Sequence, residues 1–114
     1  MKILIVDDNI EFQYLLKRWL GDSIYEFDIV SDPHSCLRKL QNNKYDLVII
    51  DLFMPDMSGI KLFNIIKKKY KTKILLITAD EWNYDLDLLK NVEYKFRKPT
   101  TKYDFLEILN GVMK

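Results

Sequence analysis

Five short apolar runs of strand length recur along the chain, separated by segments whose apolar residues keep helical spacing. The runs are Ile3-Leu4-Ile5-Val6, Phe27-Asp28-Ile29-Val30, Leu47-Val48-Ile49-Ile50, Ile74-Leu75-Leu76-Ile77 and Tyr94-Lys95-Phe96. After the first, Phe12, Leu15, Leu16, Trp19 and Leu20 fall at i, i+3, i+4, i+7 and i+8, the pattern of one helix face, and Phe105, Ile108, Leu109 and Val112 repeat it. Ile60, Phe63, Ile66 and Tyr70 form a looser stripe. Asp32-Pro33 reads as an N-cap followed by proline at the first helical position, opening a short helix through Cys36, Leu37 and Leu40. From Trp82 to Asn91 only Trp82, Leu86 and Leu89 keep a stripe, which reads as one more short helix. Strict alternation of strand and helix, five of each, predicts an α/β fold: a doubly wound parallel sheet with helices on both faces.

The strand compositions predict the order. Three runs are continuously apolar and suit the middle of a sheet covered on both faces, whereas Asp28 and Lys95 interrupt the second and fifth. Those two belong at the edges, where a charge discourages pairing with another chain. The expected order is therefore 2-1-3-4-5. With 114 residues, 48% of them apolar, the chain suits one domain over 1–114. The last helical stripe reaches Met113, so a stand-alone domain is the expectation. A single cysteine, Cys36, excludes an intrachain disulfide and a cysteine zinc cluster. No apolar run approaches the roughly 18 residues of a membrane span, and Ile3 to Val6 is too short for a signal peptide, so the expected place is the cytoplasm, away from membranes.

Net charge is +1, which gives no electrostatic case for direct nucleic-acid binding. The halves differ, however: residues 1 to 57 sum to −4 and residues 58 to 114 to +5. In the expected order the first and third strands are neighbours, and ligands of such sheets bind beyond the carboxyl ends at that point. The first strand ends at Asp7-Asp8 and the third at Asp51. Like charges about 4 Å apart repel by about 4 kcal/mol per pair at an effective dielectric near 20, so something must compensate them. A hard divalent cation such as Mg²⁺, which takes oxygen ligands, does so. Thr78 and Lys98 close the fourth and fifth strands at the same edge, and a hydroxyl and an ammonium beside a metal make a seat for a phosphoryl group. Taken singly, Asp7, Asp8 or Asn9 could serve as a helix cap and Thr78 or Lys98 as surface residues. Their joint placement at one edge favours a site.

With those residues in place, the chain resembles the receiver domains of two-component response regulators over essentially all of its length. The resemblance rests on the acidic pair after Ile3-Leu4-Ile5-Val6, the run Asp51-Leu52-Phe53-Met54-Pro55-Asp56-Met57-Ser58-Gly59, Thr78-Ala79, and Lys98-Pro99. It implies a flavodoxin-like fold and a regulatory role, with catalysis limited to the domain's own phosphorylation and dephosphorylation. By the same resemblance Asp51 is the phosphoacceptor, and Asp8, Asp51 and the Phe53 carbonyl hold Mg²⁺, with Asp7 reaching it through water. Thr78 and Lys98 hold phosphoryl oxygens. The donor is a phosphohistidine on a sensor histidine kinase or phosphotransfer protein, and a protein partner lies downstream. Phe53 and Asp80, two residues after the acceptor and after the threonine, modulate the lifetime of the phosphorylated state.

Receivers also use Thr78 and an aromatic side chain of the fifth strand as a switch, three residues before Lys-Pro. Here that position is Lys95, and Tyr94 and Phe96 flank it, so either is the candidate. Two other functions remain open. One is an aspartate-nucleophile phosphatase of the haloacid-dehalogenase type using Asp7, which wants a second aspartate where this chain has Asn9. The other is an interaction module that keeps the fold and ignores phosphate. The run Lys67, Lys68, Lys69, Lys71 and Lys73 reads as a solvated helix end, His34 as a surface residue, Cys36 as core and Trp19 as helix-face packing.

Overall fold

The computed structural model of the chain describes residues 1–52, 59–78, 92–97 and 101–114. The apolar runs form β1 (Lys2–Val6), β2 (Glu26–Val30), β3 (Leu47–Asp51), β4 (Lys73–Thr78) and β5 (Tyr94–Arg97). The helical stripes form α1 (Ile10–Gly21), α2 (Pro33–Asn42), α3 (Gly59–Lys69) and a last helix α4 (Lys102–Val112). The helix expected from Trp82 to Asn91 lies outside the described residues. All neighbouring strands are parallel and their order is β2-β1-β3-β4-β5, the order that the edge charges predicted.

The period of two along each strand divides the core. Leu4, Val6, Val48, Ile50, Ile74 and Leu76 face α2 and α3, while Ile3, Ile5, Leu47, Ile49, Leu75 and Ile77 face α1 and α4. Both faces are covered, which is why the three central runs are apolar without interruption. Helix faces follow their sequences less closely. On α1 the buried residues are Phe12, Leu16 and Leu20, and Leu15, expected on that face, is exposed. On α3 Leu62 is fully buried, while Ile60 and Tyr70, expected in the stripe, are only half-buried. His34 is exposed, and Cys36 is buried with its thiol pushed up to about 12, chiefly by burial.

Asp28 belongs to an edge strand, as expected, yet its charge is used within the fold. It accepts a hydrogen bond of 2.7 Å from the buried Tyr45 hydroxyl and lies 3.6 Å from the Lys2 ammonium. Burial and the Asp28 carboxylate push the Tyr45 phenol well up, so it stays a donor.

Asp32 caps α2 as expected, accepting from the Ser35 N–H at 2.8 Å and from its hydroxyl at 2.8 Å, with Pro33 next. These bonds, the backbone one first, hold the Asp32 carboxyl below its ordinary value. A carboxyl lowered by folding stabilises the fold above the unfolded pKa, and that contribution is lost as pH falls through the lowered folded value. Asp32→Ala should therefore lower stability by about 1 kcal/mol at neutral pH. Denaturant titrations of both proteins should show the gap narrowing below about pH 4.

Candidate functional site

The register of the central strands builds the site. Val6 pairs with Ile50 across β1 and β3, so Asp7 and Asp51 leave the sheet side by side. Among the described residues these are the buried charged side chains, at 0% and 5% exposure, while Asp8 is exposed. One carboxylate oxygen from each of Asp7, Asp8 and Asp51 lies within 4.8 Å of the others. At an effective dielectric near 20, charges so close repel by about 3 to 4 kcal/mol per pair. The cluster therefore favours a counter-charge, and its hard oxygen donors match a divalent cation such as Mg²⁺.

Local bonds fix the acidic pair. The Asn9 N–H donates to the Asp7 carboxylate at 2.8 Å, and the Asn9 side chain accepts from the Phe12 N–H at 3.0 Å, capping α1. Capping and site are thus successive residues of one turn, and the positive end of α1 stands beside the carboxylates. The Gln13 side-chain amide donates both to the Asp7 carbonyl and to the Ser31 hydroxyl, at 3.0 Å for the latter, tying α1 to the ends of β1 and β2. Asn9 was one of several possible caps in the sequence. Gln13 sends no sequence signal, because its partners are known only once the strands are in register.

On the Asp51 side, the Leu52 N–H donates to the Ile77 carbonyl at 3.0 Å, and the Gly59 N–H donates to the Leu52 carbonyl at 2.9 Å. A side chain at Gly59 would put its Cβ 2.5 Å from the Asp51 carbonyl oxygen and 2.5 Å from the Leu52 Cα. Closeness requires glycine here, where α3 starts against the end of β3.

The other expected site residues are placed in part. Thr78 ends β4, next to the Asp51 end of β3, and its backbone pairs with Arg97. Lys98 follows Arg97 in sequence, and Lys98, Phe53 and Asp80 lie outside the described residues. Of the two candidate switch aromatics, Phe96 is buried and Tyr94 half-buried, both against the core under α1 and α4, whereas Lys95 is exposed.

The family model of the response regulator receiver domain matches residues 3–109. The chain belongs to that family. The response regulator ArlR of Staphylococcus saprophyticus is 34% identical over 84 residues, which are 74% of this chain and 38% of that protein. The transcriptional regulatory protein ResD of Bacillus subtilis is 35% identical over 78 residues, 68% of this chain and 32% of that protein. The chain thus spans about two fifths or less of the length of these relatives. Among solved structures, the complex of histidine kinase ThkA with response regulator protein TrrA contains a chain similar at 30% identity and TM-score 0.86, covering 99% of this chain and 98% of that one. A signal receiver domain of an HD domain-containing protein from Pseudomonas fluorescens matches at 27% identity and TM-score 0.88, covering 98% and 93%. A receiver domain is a regulatory domain of two-component systems, which agrees with the reading of the sequence. No described helix of this one is long and apolar enough to cross a membrane.

Proposed function

We propose that this receiver domain is a phosphorylation-activated switch whose acceptor is Asp51. The observation that carries the reading is the meeting of Asp7, Asp8 and Asp51 at the ends of two paired strands, two of them buried. An Asp51 carboxylate oxygen bonds to phosphorus as the bond from phosphorus to the donor's imidazole nitrogen breaks, leaving an acyl phosphate and a free histidine. Asp8, Asp51 and the Phe53 carbonyl would hold Mg²⁺, with Asp7 acting through water, and the ion supplies neutralisation of charge on the transferring group. Lys98 and Thr78 receive the phosphoryl oxygens, and the partner-binding surface changes with the state of the site. The unit that does this is a single domain over 1–114, acting in the cytoplasm. Asn9 supports this reading over a phosphatase using Asp7, since it stands where that chemistry wants a second aspartate and caps α1 instead. Incubation with acetyl phosphate and Mg²⁺, followed by intact mass, tests the proposal: one added phosphoryl group is expected, and none would leave a phosphorylation-independent interaction module.

The proposed donor is a phosphohistidine on a sensor histidine kinase or phosphotransfer protein. Ile10, Tyr14 and Leu15 form an exposed apolar surface that begins one residue after the N-cap and adjoins the acidic crevice. Such a surface suits contact with another protein. Ile10→Ser should slow transfer from the kinase by about tenfold, the effect of losing a central apolar contact. Labelling by acetyl phosphate should be unchanged, because that donor needs no protein surface. Equal slowing with both donors would count against the contact.

Loss of the phosphoryl group needs water in line with the Asp51 acyl phosphate. In the proposed site the Phe53 ring excludes water and Asp80 aligns whatever enters, and exclusion prevails because alignment acts only on water that has entered. Phe53→Asn should shorten the phosphorylated lifetime, followed by intact mass after the donor is removed. An unchanged lifetime would remove the ring from that role.

A further inference from the structure

Two lines of contact leave the acidic crevice and meet at one ring. The first runs from the Asp7 carboxylate through Asn9 to the Phe12 N–H, and the Phe12 ring meets Trp19 edge-on with centroids 6.3 Å apart. The second starts at Phe96, whose backbone pairs with Ile77 of β4, the residue that pairs with Asp51 of β3. The Phe96 ring meets Phe105 at 5.8 Å, and Phe105 meets Trp19 at 5.7 Å. Phe105 is fully buried and Phe12 and Phe96 nearly so, whereas Trp19 is half-buried at the rim between α1 and α4.

The position that the family resemblance gives to an aromatic switch holds Lys95, and Lys95 is exposed. Any shift of β5 would therefore bear on the opposite face of the strand, where Phe96 is buried. Close-packed rings have no slack to absorb such a shift. Phe105 has core on all sides, so the displacement passes to Trp19, which has solvent to move into.

We propose that this chain reports the state of its crevice on the face formed by α1 and α4, with Phe96 as the ring that moves and Trp19 as the ring whose exposure changes. The inference rests on the phosphorylation of Asp51 proposed above. It differs from a switch on the α3 side of the sheet in the surface on which the signal arrives.

The chain has two tryptophans, so Trp82→Phe leaves Trp19 as the sole emitter. That protein is treated with acetyl phosphate and Mg²⁺, and intact mass, Trp19 emission and acrylamide quenching are followed together. Labelling should shift the emission maximum and change the quenching. Phe105→Leu in the same background should lose the shift while labelling at the same rate, and Phe96→Leu, which spares the centre of the core, should lose it as well. Labelling without a shift overturns the inference and leaves phosphorylation standing. A shift that survives both leucine variants overturns the ring route. An absence of labelling removes the phosphorylation reading and this inference with it.

Discussion

Asp51→Asn is expected to take up no phosphoryl group from acetyl phosphate and Mg²⁺, where the parent chain takes up one. An amide matches the carboxylate in shape, so β3 and its 5%-exposed last side chain should stay in place. The change is chemical: the neutral amide lacks the carboxylate's charge, its oxygen is a far weaker nucleophile toward phosphorus, and it weakens the hold on a divalent cation. Asp8→Asn should behave differently. Asp8 is exposed and, in the proposed site, binds the ion and not the phosphoryl group. Labelling of Asp8→Asn should slow by about tenfold or more yet still reach one phosphoryl group at high Mg²⁺. Intact mass against time separates the two variants. Labelling of Asp51→Asn to the level of the parent chain would remove Asp51 as the acceptor, and a complete block in Asp8→Asn would give that residue a larger part than metal binding.

The sheet was legible in the sequence because burial on both faces leaves a plain mark: three uninterrupted apolar runs, and charges at Asp28 and Lys95 on the two edge strands. The reason first given for Asp28 was incomplete. Its carboxylate bonds to Tyr45 and Lys2, partners far away in sequence, so the edge charge also ties β2 to the fold. Helix faces were less legible, since a stripe of apolar residues leaves its rotation loose by about one position. Leu62 took the core place that Ile60 shares only in part, and Leu15 was left beside Ile10 and Tyr14 on an exposed surface next to the crevice.

The acidic cluster was legible because strand order and strand ends are enough to bring Asp7, Asp8 and Asp51 together. Its supports were legible only in part: Asn9 was one of three possible caps and Gly59 closed the run from Asp51, but what each does was not. Asn9, Gln13 and Gly59 act through backbone groups whose positions depend on register and on where a helix starts. Glutamine on a helix and glycine after a serine are too common to announce such roles.

Gly59→Ala should be the most disruptive single-methyl change in the described part of the site. The new Cβ would lie 2.5 Å from the Asp51 carbonyl oxygen, 2.5 Å from the Leu52 Cα and 3.1 Å from the Asp51 carbonyl carbon. All three are backbone atoms, and that backbone is held by β3 and by the bond from the Leu52 N–H to Ile77. Two effects oppose each other. Alanine is the better helix former by about 1 kcal/mol in a helix interior, less at a first residue such as Gly59. Overpacking against fixed atoms costs about 1 to 3 kcal/mol, and more when no side chain can turn aside. Overpacking should win, lowering the melting temperature by about 5 °C per kcal/mol for a domain of this size. Gly59→Val should lower it further. Relief of the clash must move either the start of α3 or the Asp51 carbonyl, and the second carries the proposed acceptor carboxylate with it. Labelling by acetyl phosphate, measured well below the melting temperature of the variant, should therefore be slower than in the parent chain. If Gly59→Ala melts and labels like the parent, α3 can move away from β3 freely, and the close approach has no hold on the Asp51 carboxylate.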